Sequence, residues 1–300
     1  MAGSGEKFAS LPSGIDICFE TFGDPEDPAL LLVMGLGGPM GWWTEDFCEL
    51  LASRGLFVVR YDNRDTGRST KLRHHKVGKI DIARAFVGLG SAPYGLSDLA
   101  EDAFGLLDHL GIEQANLTGV SMGGMIAQTM AIAHPERVLS MTSIMSTTGR
   151  RTVGWQSPKV LPAMLASAGR TRDSYIARSL RTQKVIGSPA FPSDREDQRL
   201  RAQETYDRGW IASGVARHML AVLTQTDRTE PLGALDLPVT VIHGAADPLV
   251  HRSGGQATAD AIPGAELIEI DGKGHDLPAQ LYATYVDAIV STAARAASGR

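Results

Sequence analysis

Ala115-Asn116-Leu117-Thr118-Gly119-Val120-Ser121-Met122-Gly123-Gly124 decides how this 300-residue chain is read. A short apolar run enters it, Gly-x-Ser-x-Gly sits at its centre, and a helix-like run from Gly124 to Ala133 leaves it. A serine hydroxyl is a poor nucleophile. It becomes a good one when a sharp turn exposes it, a histidine takes its proton, and backbone N–H groups await the oxyanion. Glycines on either side suit such a turn, because a side chain would clash where strand reverses into helix. The bare pattern is common by chance, so partners elsewhere in the chain must decide whether Ser121 is a nucleophile.

Outward from this turn, apolar β-branched runs alternate with helical patterns. Leu30–Met34, Leu56–Tyr61, Val138–Met145, Pro238–His243 and Glu266–Ile270 read as buried strands. Helices are predicted around Glu45–Arg54, stopping at Gly55, and from an N-cap at Ser97. In the second of these, Leu99, Ala103, Leu106, Leu107 and Leu110 share a face and Gly111 follows the end. A last helix is predicted near Gln280–Ala294, and Lys7–Phe22 reads as a hairpin around Pro12-Ser13-Gly14. Strands buried on both faces and alternating with helices specify an α/β fold with a mostly parallel, doubly wound sheet.

Two stretches break the alternation. Lys71–Tyr94 carries only a short helical pattern over Ile80–Val87. Thr147–Pro231 has helical patterns but no convincing strand, and is punctuated at Gly169, Gly187-Ser188-Pro189 and Pro192. The expected organisation is a core of residues 1–146 and 232–300 with a helical cap at 147–231. The cap holds 14 Lys+Arg and 8 Asp+Glu, a net +6, against −11 for the remainder. Solvated helix faces explain this plainly. The sharper reading is a positive field that draws anionic substrates to a pocket.

Bulk composition narrows the classes of function. Hydrophobic residues make up 43% and charged residues 21%, ordinary for a globular domain, and the net charge of −5 gives no reason to expect a nucleic-acid partner. No run approaches the roughly 20 apolar residues of a membrane span, and Met1–Ser10 lacks the apolar centre of a signal peptide. Two cysteines, Cys18 and Cys48, are too few for a disulfide framework and fit a reducing cytoplasm. The expected partner is a small molecule, and a homodimer stays open.

In a doubly wound sheet, the partners of Ser121 belong in loops at the carboxyl ends of strands. Asp247 follows the strand ending at His243-Gly244, and His275 follows the strand ending at Ile270. His275 is therefore the candidate base and Asp247 the acid that fixes its tautomer. Asp271 and Asp276 flank the histidine as lesser alternatives. Asp247 also has a plain reading as a turn residue before Pro248. His74, His75, His109, His134, His218, His243 and His251 have weaker claims. The oxyanion hole is expected from the N–H of Met122 and of Leu36, with Gly35 close behind as the second donor, within Met34-Gly35-Leu36-Gly37-Gly38. Trp42 and Trp43, just beyond, are candidates for core packing or for the wall of a substrate pocket. No His/Cys/Asp set has metal-ligand spacing, and the chemistry calls for no metal and no cofactor.

Together these residues resemble the α/β-hydrolase superfamily, whose members carry Ser, Asp and His in this chain order. Tyr61-Asp62-Asn63-Arg64-Asp65-Thr66-Gly67-Arg68-Ser69 is similar to the family's Asp-x-Arg-x-x-Gly-x-Ser turn, and His134-Pro135-Glu136-Arg137-Val138 to its link after the nucleophile helix. Within the superfamily, Met34-Gly35 and Arg64–Ser69 resemble the bacterial aclacinomycin-methylesterase-like group. The resemblance implies nucleophile Ser121, acid Asp247, base His275 and oxyanion donors Leu36 and Met122, in a serine carboxylic-ester hydrolase working through an acyl-enzyme. A perhydrolase, a lactonase or a C–C bond hydrolase would use the same triad. A non-catalytic binding protein could also keep the fold. The extra length at Lys71–Tyr94 departs from the group. Arg64 and Asp62 are expected to brace loops rather than to touch substrate.

Overall fold

The computed structural model describes residues 3–160, 162 and 171–298. Gly169, one of the breaks read in the insertion, lies outside them. Eight strands form one sheet: β1 (Lys7–Ser10), β2 (Asp16–Phe22), β3 (Ala29–Val33), β4 (Phe57–Tyr61), β5 (Ala115–Val120), β6 (Val138–Ile144), β7 (Val239–Gly244) and β8 (Glu266–Ile270). Their order is β1-β2-β4-β3-β5-β6-β7-β8. β1 and β2 pair antiparallel as the hairpin, and β2 joins β4 antiparallel; the other neighbours run parallel.

Pleating sends alternate residues of each strand to opposite faces. Leu31, Val33 and Val59 enter one apolar layer with Leu99, Ala103, Leu106 and Leu107 of α3 (Leu96–His109) and with Ile126 and Met130 of α4 (Met122–Ala133). Leu30, Leu32 and Val58 enter the other, against α1 (Glu45–Ala52) and the last helix, α10 (Tyr282–Ser298). α2 (Lys79–Phe86) is the short helix of the first irregular stretch. α3 begins earlier than its sequence suggests. Its cap is Gly95, whose N–H donates to the Asp98 carboxylate at 2.8 Å, so Ser97 lies inside the first turn.

Between β6 and β7 run α5 (Arg172–Ile186), α6 (Arg195–Asp207), α7 (Ala212–Leu223) and the short α8 (Thr229–Leu232), with no strand among the described residues. α9 (Ser253–Ala261) links β7 to β8. The basic excess of this insertion is partly consumed by ion pairs to the core. Arg217 meets Asp65 at 2.6 Å with both side chains fully buried, and Arg208 meets Asp62 at 2.6 Å as well as Glu6. Among the described residues, no helix is long and apolar enough to cross a membrane.

Candidate active site

β5 ends at Val120 and α4 begins at Met122, leaving one residue to reverse the chain. That residue, Ser121, takes φ 55° and ψ −118°. A non-glycine residue held there costs on the order of 1–3 kcal/mol, which the surroundings must offset. The Ser121 N–H donates to Ile144 O at 2.9 Å, and its carbonyl accepts from Ser146 Oγ at 2.8 Å and from Gly124 N–H at 3.0 Å. The flanking glycines are steric requirements. A Cβ on Gly119 would stand 2.2 Å from Gly123 O, and one on Gly123 2.0 Å from Val33 O.

Asp247 and His275 arrive from loops after β7 and β8. His275 Nε2 lies 3.0 Å from Ser121 Oγ, and its Nδ1 lies 2.7 Å from Asp247 Oδ2. A carboxylate can only accept, so Nδ1 carries the proton and Nε2 presents its lone pair to the serine hydroxyl. The other Asp247 oxygen accepts the N–H groups of Leu249 and Val250 at 2.8 and 2.9 Å. Burial pushes the Asp247 carboxyl up. The His275 ring and its hydrogen bond, the Val250 N–H and His243 outweigh that and hold it below the ordinary carboxylate range. Lys273 is fully buried close by, its Nζ 3.0 Å from Gly274 O and 3.4 Å from Met145 Sδ. Burial lowers it to about 8, against the pull of Asp247 and Asp276.

The alternative acids stand elsewhere. Asp271 is exposed. Asp276 accepts from Gln183 Nε2 at 3.1 Å and from the N–H and hydroxyl of Ser188. Sequence reasoning missed this support from the insertion. Ile186 O accepts the His275 N–H at 2.6 Å and Ser188 Oγ the Gly274 N–H at 2.8 Å. The only sequence signal there was Gly187-Ser188-Pro189, read as a break.

Gly35 packs against Ser121: a Cβ placed on it would meet Ser121 Cβ at 3.2 Å. Among the described residues neither Leu36 N–H nor Met122 N–H meets a protein acceptor. Trp43 is 1% exposed and stacked on Phe47 at 5.4 Å, inside the apolar layer below α1. Trp42 is half-buried, and its Nε1–H donates to Thr205 Oγ1 of α6 at 2.9 Å.

The turn after β4 is a brace. Asp62 accepts the N–H groups of Met40 and Arg68 at 2.7 and 2.8 Å, and Arg64 makes a bidentate pair with Asp102 at 2.5 and 2.7 Å. Asp65, in the left-handed region at φ 68°, accepts from Tyr94 Oη at 2.7 Å and from both forks of Arg217. Burial raises the Asp65 carboxyl, but the Arg217, Tyr94 and Leu72 hydrogen bonds carry it below its ordinary value.

A mostly parallel sheet with a strained serine between strand and helix, and a His–Asp pair delivered from later strand ends, defines a hydrolase of the α/β class. Residues 28–280 match the family model described as alpha/beta hydrolase fold, and the chain belongs to that family. It is 30% identical over 292 residues to rhodomycin D methylesterase of Streptomyces peucetius, covering 90% of this chain and 92% of that one. It is 29% identical over 244 residues to 3-oxoadipate enol-lactonase 2 of Acinetobacter baylyi, covering 81% and 80%. A hydrolase from Pseudomonas aeruginosa PA01 superposes with a TM-score of 0.73 at 23% identity, over 96% of this chain and 98% of that one.

Proposed function

We propose that the protein hydrolyses carboxylic esters through an acyl-enzyme on Ser121. The observation that carries this is the relay Ser121 Oγ–His275–Asp247, at 3.0 and 2.7 Å, with the half-buried serine on a strained turn. His275 Nε2 takes the hydroxyl proton as Oγ attacks the ester carbonyl. Asp247 stabilises the imidazolium that forms. The N–H groups of Leu36 and Met122 receive the oxyanion; losing one such donor typically costs on the order of 10²–10³ in kcat. Collapse of the intermediate expels the alcohol, protonated by His275. Water, activated by the same ring, then releases the acid and restores Ser121. No step calls for a cofactor.

The methylesterase relative supports an ester of a small alcohol. In this reading residues 147–231 form the cap over the site, and Trp42, tied to α6 through Thr205, walls the pocket while Trp43 serves the core. The enol-lactonase relative favours a second reading, a cyclic ester opened by the same triad. Two free, buried cysteines support a cytoplasmic enzyme. A fluorophosphonate should label Ser121 alone, and Ser121→Ala should lower kcat on p-nitrophenyl esters by about 10⁴-fold or more with the fold intact. Labelling of another serine, or turnover kept by Ser121→Ala, would overturn the assignment. A panel of methyl esters and lactones separates the two readings.

A further inference from the structure

We propose that His218, on α7 of the insertion, is a positioning residue that locks the oxyanion loop in its donating conformation. The proposal rests on Leu36 N–H being an oxyanion donor, and it adds what holds that N–H in place.

The loop is a turn over Gly35–Gly38. Gly38 N–H donates to Gly35 O at 3.2 Å, and Gly37, at the third position, takes φ +68°, the signature of a type II turn. Gly35 O and Leu36 N–H belong to the same peptide plane. Pinning that oxygen inside the turn sends the Leu36 N–H the opposite way, without a protein acceptor among the described residues. The weak point of such a turn is its central peptide, Leu36–Gly37. Flipping it converts type II to type I and shifts the donor beside it.

His218 holds that peptide. Its Nδ1 accepts the Gly37 N–H at 3.1 Å, and its Nε2 lies 2.8 Å from Arg64 O. The carbonyl can only accept and the amide can only donate, so the ring is neutral with its hydrogen on Nε2. One turn earlier on the same helix, Val215 closes the other side: a Cβ on Gly37 would stand 2.9 Å from Val215 Cγ2. The ring is fully buried, edge-on to Tyr94 at 6.2 Å, and the preceding Arg217 is bonded to Asp65. Burial depresses the imidazole to about 4; the Arg64 carbonyl and Asp65 pull it up, while Arg217 and Arg64 push it down. Nδ1 therefore stays an acceptor throughout the neutral range. The insertion thus supplies one of the bonds that fix the oxyanion loop, from 181 residues away in sequence.

Two substitutions divide the two bonds. In His218→Asn the amide oxygen stands where Nδ1 stands and can accept from Gly37. In His218→Gln the amide nitrogen stands where Nε2 stands and can donate to Arg64 O, but the acceptor is lost. With p-nitrophenyl esters, His218→Gln should lower kcat by about 10- to 100-fold with KM held within about threefold, because the oxyanion bond acts mainly in the transition state. A trifluoromethyl ketone, which forms a tetrahedral adduct on Ser121, should lose affinity in parallel. His218→Asn should recover kcat to within about threefold of the parent. Equal losses in the two variants, whether through unfolding or through chemistry, or no loss in His218→Gln, would overturn the proposal. A parent enzyme inactive on every ester would instead overturn the hydrolase reading.

Discussion

The turn at Ser121 and the insertion between β6 and β7 are held by different means. At the turn almost everything is backbone. Strand, helix and the loop after β3 approach so closely that Gly119 and Gly123 have no room for a Cβ, and Ser121 is fixed through its own N–H and carbonyl. Over α6 and α7 the insertion attaches through long side chains instead, Arg217 to Asp65, Arg208 to Asp62, and His218 to Gly37 and Arg64, while backbone bonds such as His275 N–H to Ile186 O tie its α5 end. Close-packed backbone has no alternative arrangement nearby, so Ser121 sits where the chain has little room to shift. A few side-chain contacts keep these helices in register with the loops below.

The hardest way to strain this contrast is Gly123→Ala. Its methyl would stand 2.0 Å from Val33 O and within 2.9 Å of Met34 O, and both obstacles are backbone. The expected cost is more than about 4 kcal/mol, the range of core disruption rather than of local adjustment. Urea unfolding monitored by circular dichroism would check it. A variant within 1 kcal/mol of the parent (well below ~4) would mean that the turn can relax and is not held by backbone contact.

The same contrast explains what was legible in the sequence. The turn announces itself because its constraints fall on residue types within five positions, Gly119 to Gly123. Asp247 and His275 were legible because alternation of strands and helices places their loops at the same edge of the sheet. The ties of the insertion leave no such trace. Arg217 and Asp65 are 152 residues apart, and both partners of His218 are backbone groups, which no side-chain pattern reports. Trp42 and Trp43 show the limit at a single step: adjacent in sequence, one is tied to α6 and the other is sealed in the core. The basic excess of the insertion, which suggested a field for anions, is in part the other half of these bolts.

Arg217→Met tests the bolt directly. The substitution keeps apolar bulk but leaves the Asp65 carboxylate buried, with Tyr94 and Leu72 as its remaining partners. Breaking a buried pair from one side costs about 3–4 kcal/mol, mostly the desolvation of the charge left behind. Asp65→Asn in the same background should return part of that loss, since a neutral amide is cheaper to bury. Thermal unfolding of the two single variants and the double variant measures the coupling. Additive losses would show that Arg217 and Asp65 do not act as a unit, and that this pair is not what ties α7 to the turn after β4.

The mildest perturbation is acid. His218 is fully buried, and its pKa falls from an ordinary 6.5 to about 4, first by burial. Above pH 6.5 the ring is neutral in the folded and unfolded chain alike, and the shift contributes nothing. Below it the unfolded chain binds a proton that the folded chain refuses, so stability falls with pH and levels off only near pH 4. The full drop is about 3 kcal/mol. His243, also lowered by burial, adds a drop of the same sign. Paired carboxylates such as Asp65 and Asp247, held below their ordinary range, lose their contribution at lower pH still, so the histidine window stands apart. Denaturant titrations of the parent and His218→Asn at pH 7 and pH 4.5 isolate the effect. The parent should lose about 2–3 kcal/mol more than the variant over that interval, because the amide has no proton to bind. Equal losses would mean that the ring can take a proton in place, and that the tie between the insertion and the Gly35–Gly38 loop opens without cost.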